Sequence, residues 1–224
     1  MSMIIAIDGP AGSGKGTLAK CLAEKFNLVN IDTGATYRCV ALKALRNNID
    51  INDKEKIIDI AKNINIDLLS DGRVLLDNDD VTKEIRSKEV TTIVSPISSI
   101  PEVREIMVDI QRKIALGKDV VMEGRDITTV VFPNAKYKFY LDASIETRAK
   151  RRYAENIEKG IDMSYEEVYD NIAKRDYNDM HKEVGALKRT DEQIYIDTTN
   201  LSVDEEVAII EKVIKGDKDE ENDR

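Results

Sequence analysis

Two rhythms of apolar and polar residues alternate along this chain. Ile4-Ile5-Ala6-Ile7 is an uninterrupted, mostly β-branched run, which suits a strand buried on both faces. Comparable runs predict strands at residues 3–7, 28–31, 119–123, 137–141 and 194–197. Helical periodicity fills the intervals. In residues 101–116, Val103, Ile106, Met107, Ile110 and Ile114 share one face, and Pro101 suits the first turn. Ser164-x-x-Glu167 and Ser202-x-x-Glu205 read as capping boxes, and Val203, Val207, Ile210 and Ile214 line one side of the last helix. Alternating strands and helices predict an α/β fold, a parallel sheet of about five strands flanked by helices.

Residues 64–86 break this rhythm. Ile66-Asp67-Leu68-Leu69, Val74-Leu75-Leu76-Asp77 and Asn78-Asp79-Asp80-Val81, with Asp71-Gly72 between the first two, read as short strands joined by tight turns. A small antiparallel β insertion is therefore expected. Residues 216–224 are polar and highly charged, the composition of a disordered tail.

Composition narrows the function classes. Of 224 residues, 42% are hydrophobic but only 5% aromatic, with no Trp, so the core must be aliphatic. The formal net charge of -9 argues against a nucleic-acid polymer as partner. No run reaches membrane-spanning length, so a cytoplasmic protein, monomeric by default, is expected with no membrane partner. Cys21 and Cys39 form no metal or redox motif and read as buried free thiols. His181 is the only histidine, which excludes a multi-histidine metal site.

The first strand runs into Gly9-Pro10-Ala11-Gly12-Ser13-Gly14-Lys15-Gly16-Thr17. The spacing G-x-x-x-x-G-K between a strand and a helix is that of a phosphate-binding P-loop. Glycines let backbone N–H groups converge on phosphate oxygens, and Lys15 adds a mobile positive charge. Gly16 stands where the strict motif has the magnesium-binding hydroxyl, and Thr17 follows one residue later. The competing reading is a glycine-rich turn that binds nothing.

Three further clusters point to a second anion. Asp32-Thr33-Gly34-Ala35-Thr36-Tyr37-Arg38 follows the second apolar run, with Thr33 able to cap the next helix and Arg38 about one and a half turns in. Glu123-Gly124-Arg125-Asp126 follows the third strand, where ligands of open parallel sheets bind. Arg148, Lys150, Arg151 and Arg152, then Arg175 and Lys182, concentrate positive charge on helices and suggest a mobile lid. The competing readings are a capped helix with a surface arginine, an exposed turn, and pairing with Glu146, Glu155 and Glu158. If the acceptor is a phosphate monoester, its oxygen is already ionised and no general base is needed. An alcohol acceptor would need one, with Asp32 or Asp126 the candidates. A nucleotide-binding switch is a third possibility, against which a second anion site argues.

Taken together, these motifs resemble the bacterial cytidylate kinase family of the nucleoside monophosphate kinases. The resemblance runs from about residue 3 to 214. It is carried by residues 7–17, 32–38, Asp-Val-Thr-Lys-Glu-Ile-Arg at 80–86, Pro-Glu-Val-Arg at 101–104, and 123–126. Val-Phe-Pro-Asn-Ala at 131–135, Leu-Asp-Ala-Ser at 141–144, Arg175-Asp176-x-x-Asp179 and Ile196-Asp197-Thr198-Thr199 complete it. It implies a P-loop NTPase type sheet and transfer of the γ-phosphoryl group of ATP, with Mg2+, to CMP or dCMP. Gly9 to Thr17 would bind ATP, with Thr17 on the metal. Thr33, Arg38 and Arg125 would hold the acceptor phosphate, Ser95, Arg104 and Asp126 the cytosine, and Arg175 and Asp179 the sugar. Lys15, Arg125, Arg148, Arg152 and Lys182 would act on the moving phosphoryl group. The implied organisation is one domain with a core at about 1–63, 87–147 and 180–215. A monophosphate-binding insertion would span 64–86 and a helical lid 148–179. Lys182, Thr128 and Gly185-Ala186-Leu187 depart from the family's usual arginine, glycine and Ser-Pro-Leu, which bears on acceptor binding.

Overall fold

The computed structural model describes residues 2–158 and 160–222, the side chains of 217–222 excepted. In chain order it contains β1 (Ile4–Asp8), α1 (Lys15–Phe26), β2 (Val29–Asp32), α2 (Thr33–Arg46) and α3 (Lys54–Lys62). The insertion follows as β3 (Ile66–Leu68), β4 (Val74–Leu76) and β5 (Asp79–Asp80). Then come α4 (Lys88–Ile97), α5 (Pro101–Ala115), β6 (Val120–Gly124), β7 (Tyr137–Asp142), α6 (Ile145–Glu158), α7 (Tyr165–Met180), β8 (Ile194–Asp197) and α8 (Val203–Asn222). Each strand expected in the main sheet lies within one residue of its observed bounds.

β1 sits at the centre of a five-stranded parallel sheet in the order β2-β6-β1-β7-β8. Its side chains alternate between two cores, as a strand's period of two requires. Ile5 and Ile7, with Val121 of β6, pack against Leu18 and Leu22 of α1 and Val207, Ile210 and Ile214 of α8. Ala6, with Val120 and Met122, faces the opposite core of α2 to α5 and the insertion. Both faces being covered, all three central β1 side chains are fully buried. This places every strand's carboxyl end, and the loop after it, along one edge of the sheet.

The insertion forms a three-stranded antiparallel sheet, β3-β4-β5. Asp77 and Asn78, at φ 50° and 74°, make the two-residue turn between β4 and β5. Ile66, Leu68, Val74 and Leu76 turn inward and join the core. Helices α6 and α7 pack on each other through a small cluster of their own, Ala149, Val168 and Ile172 flanked by Tyr153, Tyr165 and Tyr169. The Ser164–Glu167 capping box is complete, and Ser202 and Glu205 also exchange bonds.

Three local expectations change. Thr33 does not cap α2 but is its first residue, with its hydroxyl donated to the Glu123 carbonyl at 2.8 Å. Cys39 is buried, but Cys21 is only partly so. Backbone 216–222, expected to be disordered, continues α8, and 223–224 lie outside the described residues. Among the described residues, no helix is long and apolar enough to cross a membrane.

Candidate functional site

β1 ends at Asp8, and the chain then folds through Gly9 to Gly14 into α1. A Cβ on Gly9 would collide with the carbonyl oxygen of Leu141, so only glycine fits beside β7. Gly14 is the N-cap of α1 and offers no side-chain cap, which leaves the helix's first N–H groups for an anion. Lys15 curls over the loop, its Nζ donating to the Pro10 carbonyl at 2.8 Å and the Ser13 hydroxyl at 3.3 Å. Burial, reinforced by Arg125, pushes this ammonium down to about 7, against the pull of Glu123 and Asp8.

The loop is braced from the β7–β8 side. Arg148 of α6 donates Nη1 to the Ala11 carbonyl at 3.1 Å and to Asp176 at 2.5 Å, and Nε to the Ala143 carbonyl. Thr198, just past β8, donates to the Ser13 carbonyl at 3.2 Å and is itself gripped by Arg151. Arg152 points elsewhere and pairs with Glu155 at 3.1 Å, near enough to Arg175 for the two charges to repel.

On the other side of β1 lies a pocket of paired charges. Arg38 Nη2 donates to Asp32 at 2.6 Å, while its buried Nε has no partner, so the guanidinium keeps donors for an anion. Burial raises the Asp32 carboxyl, but Arg38 and Arg86 outweigh that and hold it below the usual carboxylate range. Asp179 of α7 is the hub. Its Oδ2 lies 2.7 Å from Arg125 Nε and 3.9 Å from Arg175 Nε, and its Oδ1 lies 2.9 Å from Lys182 Nζ. Burial opposes ionisation of Asp179, but these three cations prevail and hold it far below its ordinary value. Three cations on one carboxylate leave net positive charge at the sheet edge beside Lys15.

A third group adjoins this pocket. Arg104 of α5 donates Nη2 to Asp126 at 2.5 Å and Nη1 to the Ser98 carbonyl at 3.0 Å, with its guanidinium 5.3 Å from the centre of the Tyr37 ring. Both members of the pair are almost fully buried, at 4% and 6% side-chain exposure. Ser95 lies half-buried in the last turn of α4, where its carbonyl accepts from Ser98 and Ser99. Gly185, at φ +66°, covers the pair so closely that any Cβ would overlap Arg104 and Asp126.

Sequence reasoning missed Glu123 as a functional candidate. It is the penultimate residue of β6, the neighbour of β1, and its Oε1 lies 3.6 Å from where a Gly16 Cβ would stand. Desolvation and Asp32 raise its carboxyl, against Lys15 and Arg125. A carboxylate near the end of the strand beside the P-loop strand was a readable signal. Thr17 is exposed in the first turn of α1. No three His, Cys, Asp or Glu side chains among the described residues form a metal cluster. One hydroxyl and one carboxylate at the mouth of a phosphate loop nevertheless suit a hard cation that takes its other ligands from phosphate and water. Ser98 was also overlooked: its carbonyl accepts from Arg104 and its hydroxyl from Lys182 Nζ at 3.2 Å, contacts that join residues far apart in sequence.

Comparison with known proteins bears on the fold and the family. A solved structure of an uncharacterised protein from Eubacterium ventriosum shares the fold, with a TM-score of 0.52, 17% identity, and coverage of 96% of this chain and 99% of that one. A cytidylate kinase of Fusobacterium nucleatum is 47% identical over 96% of this chain and 98% of its own length. One from Caldanaerobacter subterraneus is 50% identical over 96% of each chain, and one from Bacillus subtilis 46% over 90% and 91%. The family model for cytidylate kinase matches residues 5–216, and the chain belongs to that family.

Proposed function

We propose that this chain transfers the γ-phosphoryl group of ATP to CMP or dCMP, yielding ADP and CDP or dCDP. The observation that carries this reading is the second cationic pocket beside the P-loop, joined to a buried Arg104–Asp126 pair. Gly9 to Thr17 bind the ATP phosphates through backbone N–H groups, with Lys15 on the transferred group. Thr33, Arg38 and Arg125 hold the acceptor phosphate, and Arg175 and Asp179 the sugar. Asp126 accepts from the cytosine amino group while Arg104 and Ser95 complete the base contacts. UMP inverts that donor and acceptor pattern and leaves buried groups unpaired. The acceptor phosphate is already ionised, so catalysis consists of aligning two anions and neutralising charge. Lys182, Arg148 and Arg152 add to that neutralisation as the α6–α7 lid closes.

Bound together with ATP, Mg2+ would supply neutralisation of the phosphate charge. Thr17 and Glu123 would hold it. The insertion at 64–86 belongs to the monophosphate-binding part. Unpaired cysteines support a reducing, cytoplasmic setting, and scattered exposed apolar side chains support a monomer.

A coupled assay of ADP release with CMP, dCMP, UMP and AMP, each with MgATP, tests the proposal. Turnover on CMP and dCMP well above UMP and AMP is expected. A folded protein inert toward both cytidine nucleotides would refute it.

A further inference from the structure

The two substrate pockets share a buried hydrogen-bond relay that the transfer chemistry does not itself use. Asp8 is fully buried at the end of β1, immediately before the P-loop. Its Oδ1 accepts from the Ile127 N–H at 2.8 Å, and its Oδ2 from the Thr128 N–H at 2.9 Å and the Thr128 hydroxyl at 2.5 Å. The carboxylate thus holds the turn that presents Arg125 and Asp126. The Thr128 hydroxyl has one proton to give, and gives it to Asp8. Its lone pair accepts from Gln193 Nε2 at 2.5 Å. Gln193 in turn donates to the Lys188 carbonyl, and its Oε1 accepts from the Thr190 N–H at 2.7 Å. It therefore anchors the end of the strap between α7 and β8. That strap carries Lys182 onto Asp179 and lays Gly185 over the Arg104–Asp126 pair.

We infer that Thr128 and Gln193 are positioning residues for the acceptor nucleotide, joining the Asp8 clamp on the Arg125–Asp126 turn to the strap above it. Neither side chain need touch a substrate. Each hydrogen bond in the relay is satisfied and directional, so the loss of one leaves a buried polar group unpaired and two segments free to shift. Misplacement of a binding group by about 1 Å is enough to cost activity. The inference rests on the reading of the pocket as a CMP site.

The test compares Thr128→Val, which keeps the shape and removes the hydroxyl, with Thr128→Ser, which restores it. Steady-state KM values for CMP and ATP are measured for each, alongside thermal unfolding. Thr128→Val should raise the CMP KM about tenfold while the ATP KM moves less than about threefold, and Thr128→Ser should fall within about twofold of the parent. Gln193→Met leaves all three Asp8 bonds in place and should raise the CMP KM about threefold, which keeps the test alive if Thr128→Val does not fold. A parent-like CMP KM in Thr128→Val, or in Gln193→Met where Thr128→Val is unfolded, overturns the inference. So does an equal rise in both KM values accompanied by a loss of Tm. Failure of the parent enzyme itself on CMP would instead refute the proposed function.

Discussion

The donor loop and the acceptor pocket bind the same kind of charge by opposite means. The loop from Gly9 to Lys15 is one contiguous stretch whose donors are mostly backbone, fixed by a strand before it and a helix after it. The acceptor pocket takes Arg38 from α2, Arg104 from α5, Arg125 from the turn after β6 and Asp179 from α7, and depends on side-chain ion pairs between them. A backbone cradle is present once the local fold exists. A pocket of ion pairs exists only when distant elements are in register, and each cation there is already engaged before substrate arrives.

Three experiments press on that contrast. Lys15→Ala removes the one side-chain charge the loop relies on, and kcat/KM should fall by about a thousandfold or more with Tm little changed. A loss smaller than about tenfold would mean that the backbone donors suffice. Asp126→Asn breaks a buried pair and leaves Arg104 without its counter-charge. The CMP KM should rise by roughly tenfold to a hundredfold, the preference for CMP over UMP should shrink, and Tm should drop. An unchanged CMP-to-UMP ratio would detach Asp126 from base reading.

The smallest effect is a proton. Lys15, pushed down to about 7 by burial and Arg125, is charged below that pH and neutral above it while the loop is empty. A bound phosphate favours the charged form and restores a higher pKa. MgATP affinity should therefore be flat below pH 7 and weaken above it, with about one proton taken up at pH 8. Titration calorimetry in two buffers of different ionisation heat measures this uptake. CMP binding alone meets mainly arginines, which stay charged in this range, and should take up less. Equal uptake for the two nucleotides would erase the distinction.

The same contrast governs how much could be read from the chain. The loop was legible because strand, glycines, lysine and helix are neighbours in sequence, and all five strands of the main sheet announced themselves as apolar runs. Acceptor residues became legible as a set only through resemblance, since no periodicity links Arg38 to Asp179. Glu123 stood at a recognisable place, near the end of the strand beside β1, yet its partners Asp32 and Gly16 are close only in space. A hydroxyl before a helix usually caps it, but α2 begins at Thr33 itself, with Asp32 in the cap position, and the Thr33 hydroxyl donates instead to the Glu123 carbonyl across the sheet edge. Thr128 stood out only as a departure from the family's usual glycine, and Gln193 gave no signal at all, for a satisfied buried relay looks in sequence like two ordinary polar residues.

The central place of β1 has a consequence for the chain as it is made. Ile4 pairs with Val120, and the other neighbour of β1 begins only at Tyr137. At a synthesis rate of about 5–20 residues per second, the first strand leaves the ribosome roughly 6 to 23 s before either partner does. During that interval an apolar β-branched segment has exposed edges and no sheet to join. The nascent chain is therefore prone to stick to other chains through β1 until β6 and β7 emerge.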